Sequence, residues 1–144
     1  MSFEKNYKDD CIFCKIARGE VPCLKVYEDA EILAFLDTSP ASKGHTLVIT
    51  KEHFDSMLTV PDDLLAKTFS VAQKIAQALE TKLGAKGINI LTNIHEIAGQ
   101  SVNHFHVHVI PRYNPNDGLK LECTPLKIEK FNLPVIANDI KNSI

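Results

Sequence analysis

His104-Phe105-His106-Val107-His108-Val109-Ile110 decides the fold, because imidazoles and apolar side chains alternate through it with the two-residue period of a strand. Phe105, Val107 and Val109 belong on a face turned to a core, and the three histidines on the opposite face. At a rise of roughly 3.3 Å per residue, neighbouring histidines in such a row start about 6.6 Å apart and the outer pair about 13 Å apart. A metal with bonds of about 2 Å to nitrogen can hold two of them, but all three only if the strand curls sharply. Separate roles are therefore expected. Half of the chain's six histidines fall in these five residues, a concentration that points to chemistry at a phosphate rather than to an incidental solvent-facing strand.

Working outward, further short strands are expected at Lys25–Tyr27, Ile32–Leu36, Thr46–Thr50 and Gly87–Thr92, with the histidine strand at Phe105–Pro111. Each is bounded by Gly, Pro, Asp or Asn. Between Pro61 and Leu83, the residues Leu64, Thr68, Val71, Ile75, Leu79 and Leu83 recur at spacings of three and four, which predicts one long structural helix. Pro61 suits its first turn and Gly84 its end. Asp62 and Asp63 at its start and Lys82 near its end complement the helix dipole. Shorter helices are expected around Cys11–Arg18 and Pro134–Asn142, the latter capped by Asn132. The elements make an α+β domain: a five-stranded antiparallel sheet with one long helix laid on it and two short ones.

At 144 residues the chain suits one domain spanning 1–144, with no linker, internal repeat or low-complexity tract. Apolar residues at 44% and charged residues at 24% are ordinary for a soluble globular protein. A net charge of −2 gives no broad basic surface for a nucleic-acid polymer, so phosphate recognition has to be local. The first ten residues, Met1 to Asp10, contain no apolar leader, and no apolar run is long enough to span a membrane, so a cytoplasmic location is the expectation. The four cysteines then read as thiols or metal ligands rather than a disulfide framework. Cys11-x-x-Cys14 supplies half of a tetrahedral zinc site or a pair of reduced thiols, and Cys23 and Cys123 read as ordinary small residues.

The His-φ-His-φ-His-φ-φ block, with φ apolar, resembles the signature of the histidine triad (HIT) superfamily, and every position of the pattern is met. Cys11-Ile12-Phe13-Cys14-Lys15-Ile16, Phe35-Leu36-Asp37, Gly44-His45-Thr46-Leu47-Val48-Ile49, Ala98-Gly99-Gln100-Ser101-Val102 and Ile110-Pro111-Arg112 extend the likeness over residues 10 to 113. The remaining residues, 114 to 144, form a C-terminal tail whose role the resemblance leaves open. The likeness is to the Hint-like branch that keeps a Cys-x-x-Cys. It implies hydrolysis of purine nucleoside 5′-phosphoramidates or related nucleotidyl conjugates, and a homodimer whose two sheets join.

Carried onto this chain, the resemblance makes His106 the nucleophile toward the α-phosphorus, a role for which a neutral imidazole is suited. His108 would contact the phosphate oxygens, and His45 would support the triad, although a buried structural histidine reads equally there. Gly99, Gln100 and Ser101 fall on the phosphate loop, with Ser101 placed to protonate the leaving group. Asn93 falls on a phosphate-contacting asparagine or is a turn residue. Asp37 would hold the ribose diol. Phe13, Ile16 and Phe35 would sandwich the base, or read simply as core. The same resemblance completes a closed structural zinc site with Cys11, Cys14, His53 and His104. His95 stands where many relatives have glycine, which bears on substrate preference more than on reaction class. A dinucleoside polyphosphate hydrolase of the Fhit-like type and a non-catalytic nucleotide- or partner-binding module are the alternatives. A hydrolytic zinc enzyme using His104 and His106 as ligands is a further one. His108 in the third triad position, where transferases of the superfamily carry glutamine, disfavours transfer to a second sugar phosphate.

Overall fold

The computed structural model describes residues 6–144. Met1–Lys5, part of the stretch read as lacking an apolar leader, lie outside the described residues. In chain order the elements are α1 (Ile12–Ala17), β1 (Lys25–Glu28), β2 (Ile32–Leu36), β3 (Thr46–Thr50), α2 (Asp62–Leu83), β4 (Gly87–Leu91), β5 (His106–Arg112) and α3 (Leu133–Lys141). The strands form one antiparallel sheet in the order β1-β2-β3-β5-β4. The α+β architecture read from the alternating and helical periods is therefore the one observed.

Period two sorts the sheet into two faces. Ile32, Ala34, Val48, Phe105, Val107 and Val109 pack under α2, against Leu64, Val71, Ile75 and Leu79 of its stripe. On the other face Leu33, Phe35, Leu47 and Ile49 pack with Phe13, Cys14 and Ile16 of α1. Burying a large aliphatic or aromatic side chain contributes roughly 1.5–3 kcal/mol, so both faces stabilise the sheet. The central strand β3 is buried along its whole length. Gly84 closes α2 in the left-handed region at φ 72°, donating its N–H to the Leu79 carbonyl.

Some expectations shift by a residue or more, each for a local reason. Pro61 caps α2 from an extended conformation instead of opening its first turn. Leu83, at the end of the stripe, is exposed. The triad strand begins at His106, because the Phe105 N–H donates out of the sheet to the Phe54 carbonyl at 2.7 Å. His104 thus lies ahead of the strand, and the even row of three histidines becomes a pair on the strand with a third turned aside.

Candidate active site and metal centre

Helix α1, strands β2, β3 and β5 and the loops at 21–23, 37–39 and 101–102 converge on the histidine face. The register puts Ile49 opposite His106 and Leu47 opposite His108, which seats both imidazoles beside the apolar cover that α1 provides. They line a cavity of about 580 Å³, a size common for small-molecule sites. Part of the lining is apolar, with Phe13, Ile16, Val21, Pro22 and Phe35. The rest is mostly polar, with Asp37, His45, Ser101, His106 and His108. Phe13 meets the His106 ring edge-on at 5.1 Å between centroids and the Phe35 ring at 5.7 Å.

The backbone sets the state of each histidine. His106 Nδ1 lies 2.7 Å from the His104 carbonyl. A carbonyl only accepts, so Nδ1 carries the proton and Nε2 keeps its lone pair. Burial holds His106 below the ordinary histidine range, so the ring is neutral near pH 7. His108 Nδ1 lies 3.0 Å from His45 Nε2, and His45 Nδ1 accepts the Ala41 N–H at 2.9 Å. Burial lowers the His45 pKa against the opposing pull of Asp37. Burial, with His106 and His45 alongside, pushes His108 down to about 4. The Asp37 carboxylate accepts the Ser39 N–H at 2.8 Å and lies 3.5 Å from His45 Nε2. Spare lone pairs on its two oxygens remain for a diol.

The loop read as phosphate-binding is less uniform than the motif suggests. Ser101 reaches the cavity, whereas Asn93, Gly99 and Gln100 are absent from its walls. Gln100 is buried behind the loop, where its Oε1 accepts the His95 N–H and its Nε2 donates to the Asp55 and Val102 carbonyls. Asn93 donates to the Gly99 carbonyl at 3.3 Å, tying the two ends of the loop. In this structure Gln100 and Asn93 therefore shape the loop. His95 holds φ 74° and ψ 159°, a region essentially restricted to glycine that costs on the order of 1–3 kcal/mol.

The third triad histidine completes a separate cluster. Cys11 caps α1, its Sγ accepting the Cys14 N–H at 3.3 Å, and this turn brings the two sulfurs together. Cys11 Sγ lies 3.3 Å from His104 Nδ1, and Cys14 Sγ lies 3.3 Å from His53 Nδ1 and 3.5 Å from His104 Nδ1. These separations are close to the edge of about 3.5 Å expected between sulfur and nitrogen ligands of a tetrahedral zinc ion. The outward nitrogens are already committed: His104 Nε2 donates to the Thr50 carbonyl at 2.7 Å and His53 Nε2 to Asp55 at 2.8 Å. Both Nδ1 lone pairs then face the sulfurs, which is the arrangement a metal requires. All four residues are buried and their ligand atoms lie within 4.8 Å of one another, so they can hold a metal ion. Without one, burial lifts the Cys14 thiol to about 12 and drops His104 to about 4.

Sequence reasoning missed Asp55, Cys23 and Ala41. An acid two residues after His53 was a readable hint of an outward partner. Cys23 lines the cavity but carries no motif, and Ala41 acts through its N–H, which no side-chain pattern announces.

The HIT domain family matches residues 18–115. An adenosine 5′-monophosphoramidase of Schizosaccharomyces pombe is 39% identical over 134 residues, 93% of this chain and 98% of that protein. Among solved structures, a HIT family protein of Bacillus anthracis superposes with a TM-score of 0.88 at 46% identity, covering 94% of this chain and 98% of the other. A zinc-bound histidine triad family protein of Mycobacterium smegmatis gives a TM-score of 0.71 at 38% identity, covering 93% and 96%. Together with the triad strand and its cavity, these matches establish that the chain belongs to the HIT family.

Proposed function

We propose that this protein hydrolyses a purine nucleoside 5′-phosphoramidate or a related nucleotidyl conjugate through a covalent intermediate on His106. The observation that carries the reading is the opposite bonding of two neighbouring imidazoles on one cavity wall: His106 Nδ1 faces a carbonyl, which leaves Nε2 its lone pair, and His108 Nδ1 faces a His45 whose outer nitrogen accepts the Ala41 N–H, which leaves His108 its proton on Nε2. A nucleophile and a donor to the phosphate are what in-line displacement at phosphorus needs. The likeness to an adenosine 5′-monophosphoramidase supports the same chemistry.

In this reading the base lies among Phe13, Ile16 and Phe35, held by burial and stacking, and Asp37 accepts from the ribose hydroxyls. His106 Nε2 forms a bond to the α-phosphorus while the bond to the leaving group breaks. The positive charge that develops on the ring is stabilised through Nδ1–H by the His104 carbonyl. His108 donates to the phosphate oxygens, whose charge rises in the transition state, and Ser101 protonates the departing amine. Water then opens the nucleotidyl-histidine, its oxygen bonding to phosphorus as the bond to Nε2 breaks and one of its protons returning to Ser101, which releases a nucleoside monophosphate and restores His106.

A zinc ion is the metal best suited to Cys11, Cys14, His53 and His104, since two sulfurs and two imidazoles are its preferred closed set. Bound there it would supply structural cross-linking of the N-terminal turn to the triad segment. The protein is also inferred to be a homodimer: β4 is an edge strand with Ile90 exposed, and Leu121, Leu126, Phe131 and Ile136 of the tail are exposed on their own domain. Sedimentation at micromolar concentration tests this, and a monomer there would refute it.

The decisive experiment is steady-state release of AMP from adenosine 5′-phosphoramidate by the wild-type protein and by His106→Ala, both checked for folding. Turnover lost in the variant, with labelled nucleotide trapped on the wild type alone, is the expected result. Equal turnover in both would remove His106 from the mechanism. Saturable binding of AMP without turnover in either would leave a binding module.

A further inference from the structure

A row of neutral imidazoles can carry its protons in either of two orders. The orders become unequal only when a group that can solely donate, or solely accept, closes one end. Ala41 N–H is such a group. By donating to His45 Nδ1 at 2.9 Å it leaves the His45 proton on Nε2, 3.0 Å from His108 Nδ1 and 3.5 Å from Asp37 Oδ2. His108 must then accept at Nδ1 and keep its own proton on Nε2. The reverse order would leave a lone pair on His108 Nε2, which repels a phosphate oxygen.

Ala41 does not hold this position unaided. The segment that follows the triad residues reaches back over the 41–43 turn and grips it at three consecutive residues. Gly118 N–H donates to the Ala41 carbonyl at 2.7 Å. Ser42 Oγ donates to the Pro111 carbonyl at 2.5 Å, and the Tyr113 hydroxyl donates to the Lys43 carbonyl at 2.6 Å. Asp117 keeps the gripping segment in shape: its buried carboxylate accepts the Tyr113 N–H at 2.9 Å and the Arg112 Nε–H at 3.1 Å. Arg112 in turn donates to Asn89 on β4 at 2.8 Å, anchoring the segment to the sheet. The approach at Gly118 leaves no room for a side chain, since a Cβ there would stand 2.8 Å from the Ala41 oxygen and 3.1 Å from its Cα.

We propose that Pro111–Gly118 is a positioning clamp, with Gly118 and Tyr113 as its positioning residues. It holds Ala41 so that one backbone N–H fixes His45, and through it His108, in the proton order that offers a donor to the phosphate. The inference rests on the reading of His108 given above and assigns the Pro-Arg stretch after the triad a part in that same site. No clamp residue touches substrate in this scheme, and each acts through the loop.

The test is Gly118→Ala, whose added methyl presses on the Ala41 peptide from an exposed position, with Tyr113→Phe as a milder second variant. Ring nitrogen-15 shifts report which nitrogen of His45 and His108 is protonated, independently of turnover. The wild type is expected to show both rings protonated on Nε2. In Gly118→Ala the Nδ1-protonated form of both rings should appear, with kcat for nucleotidyl hydrolysis falling about tenfold or more, KM little changed and the melting temperature close to the wild type. Tyr113→Phe should move the same signals in the same direction by less. Wild-type rings protonated on Nδ1, or folded variants with unaltered ring shifts, would overturn the clamp. Should Gly118→Ala fail to fold, Tyr113→Phe decides by the same signals. A wild type with the expected ring shifts but no turnover would sink the hydrolase reading and leave the clamp to be judged on the shifts alone.

Discussion

The two ends of the triad segment carry clusters of similar composition and opposite construction. At one end Cys11, Cys14, His53 and His104 converge, and at the other Asp37, His45 and His108. In the first, both imidazoles donate outward, to Thr50 and Asp55, so lone pairs face inward and a cation is what the centre lacks. In the second, Ala41 occupies the outer nitrogen of His45, so the His45 Nε2–H points inward at His108 Nδ1 and Asp37, and the centre already holds a proton. Ligand atoms within reach of one another are thus insufficient to make a metal site. The direction of the hydrogen bonds behind them decides between a cluster open to a cation and one that already holds a proton.

Breaking the first end should have the largest effect. Cys14→Ser is expected to abolish bound zinc and to destabilise the protein by several kcal/mol, lowering the melting temperature by about 10 °C or more. Metal analysis beside thermal unfolding checks this, and a metal-free variant melting with the wild type would show the cluster to be two idle thiols. A chelator should act on the same slow timescale as unfolding. Immediate loss of turnover would instead favour a catalytic metal.

At the other end His108→Ala should reduce turnover by roughly 10²–10³-fold, the loss typical of one donor to a developing anion, while zinc content stays at the wild-type level. Turnover within a factor of two of wild type would deny His108 that role. Asp55→Ala should weaken zinc binding by about 10–100-fold without touching the cavity residues, measured by competition with a chromophoric chelator. Unchanged affinity would mean that the outward bond of His53 is incidental.

The protonation of His108 gives a pH signature. Its pKa lies at about 4 in the folded chain against an ordinary 6.5, so the unfolded chain takes up the proton first. Its contribution to stability is complete above pH 6.5 and is lost as pH falls through about 4. Urea midpoints compared between pH 7 and pH 4 should fall less for His108→Ala than for the wild type, and parallel curves would contradict this. The smallest effect concerns His95. Replacing it by glycine relieves the φ of 74° and should stabilise the protein by about 1 kcal/mol, read as a higher urea midpoint. A lower midpoint would mean that the imidazole makes a contact worth more than the strain.

Much of this was legible in the sequence because it is written in side chains with a period. Period two gave the strands to within about a residue, and the Leu64–Leu79 stripe gave α2. The quartet that can hold a metal followed from Cys11-x-x-Cys14 read through the family likeness, and His95 marked the backbone position that proved unusual. Three features stayed hidden. His104 was placed in one row with its neighbours, because alternation persists in the sequence two residues beyond the end of the ladder. Gln100 was assigned to phosphate, because a motif names a residue and not the direction it faces. The Ala41–Gly118 clasp was invisible, since its groups are amides and carbonyls that every residue possesses.

That last property bears on how the site tolerates change. The His104 carbonyl and the Ala41 N–H, which order the protons of the three cavity imidazoles, survive almost any substitution, and Ala41 is already what an alanine scan would put there. Such a scan would strip each imidazole in turn and reach what arranges them only at second hand, through the clamp at Tyr113 and Gly118. Proline at position 41 is the one substitution that removes that N–H itself. The arrangement of charge in this cavity is inherited with the path of the chain, and sequence drift around it can be wide before the chemistry changes.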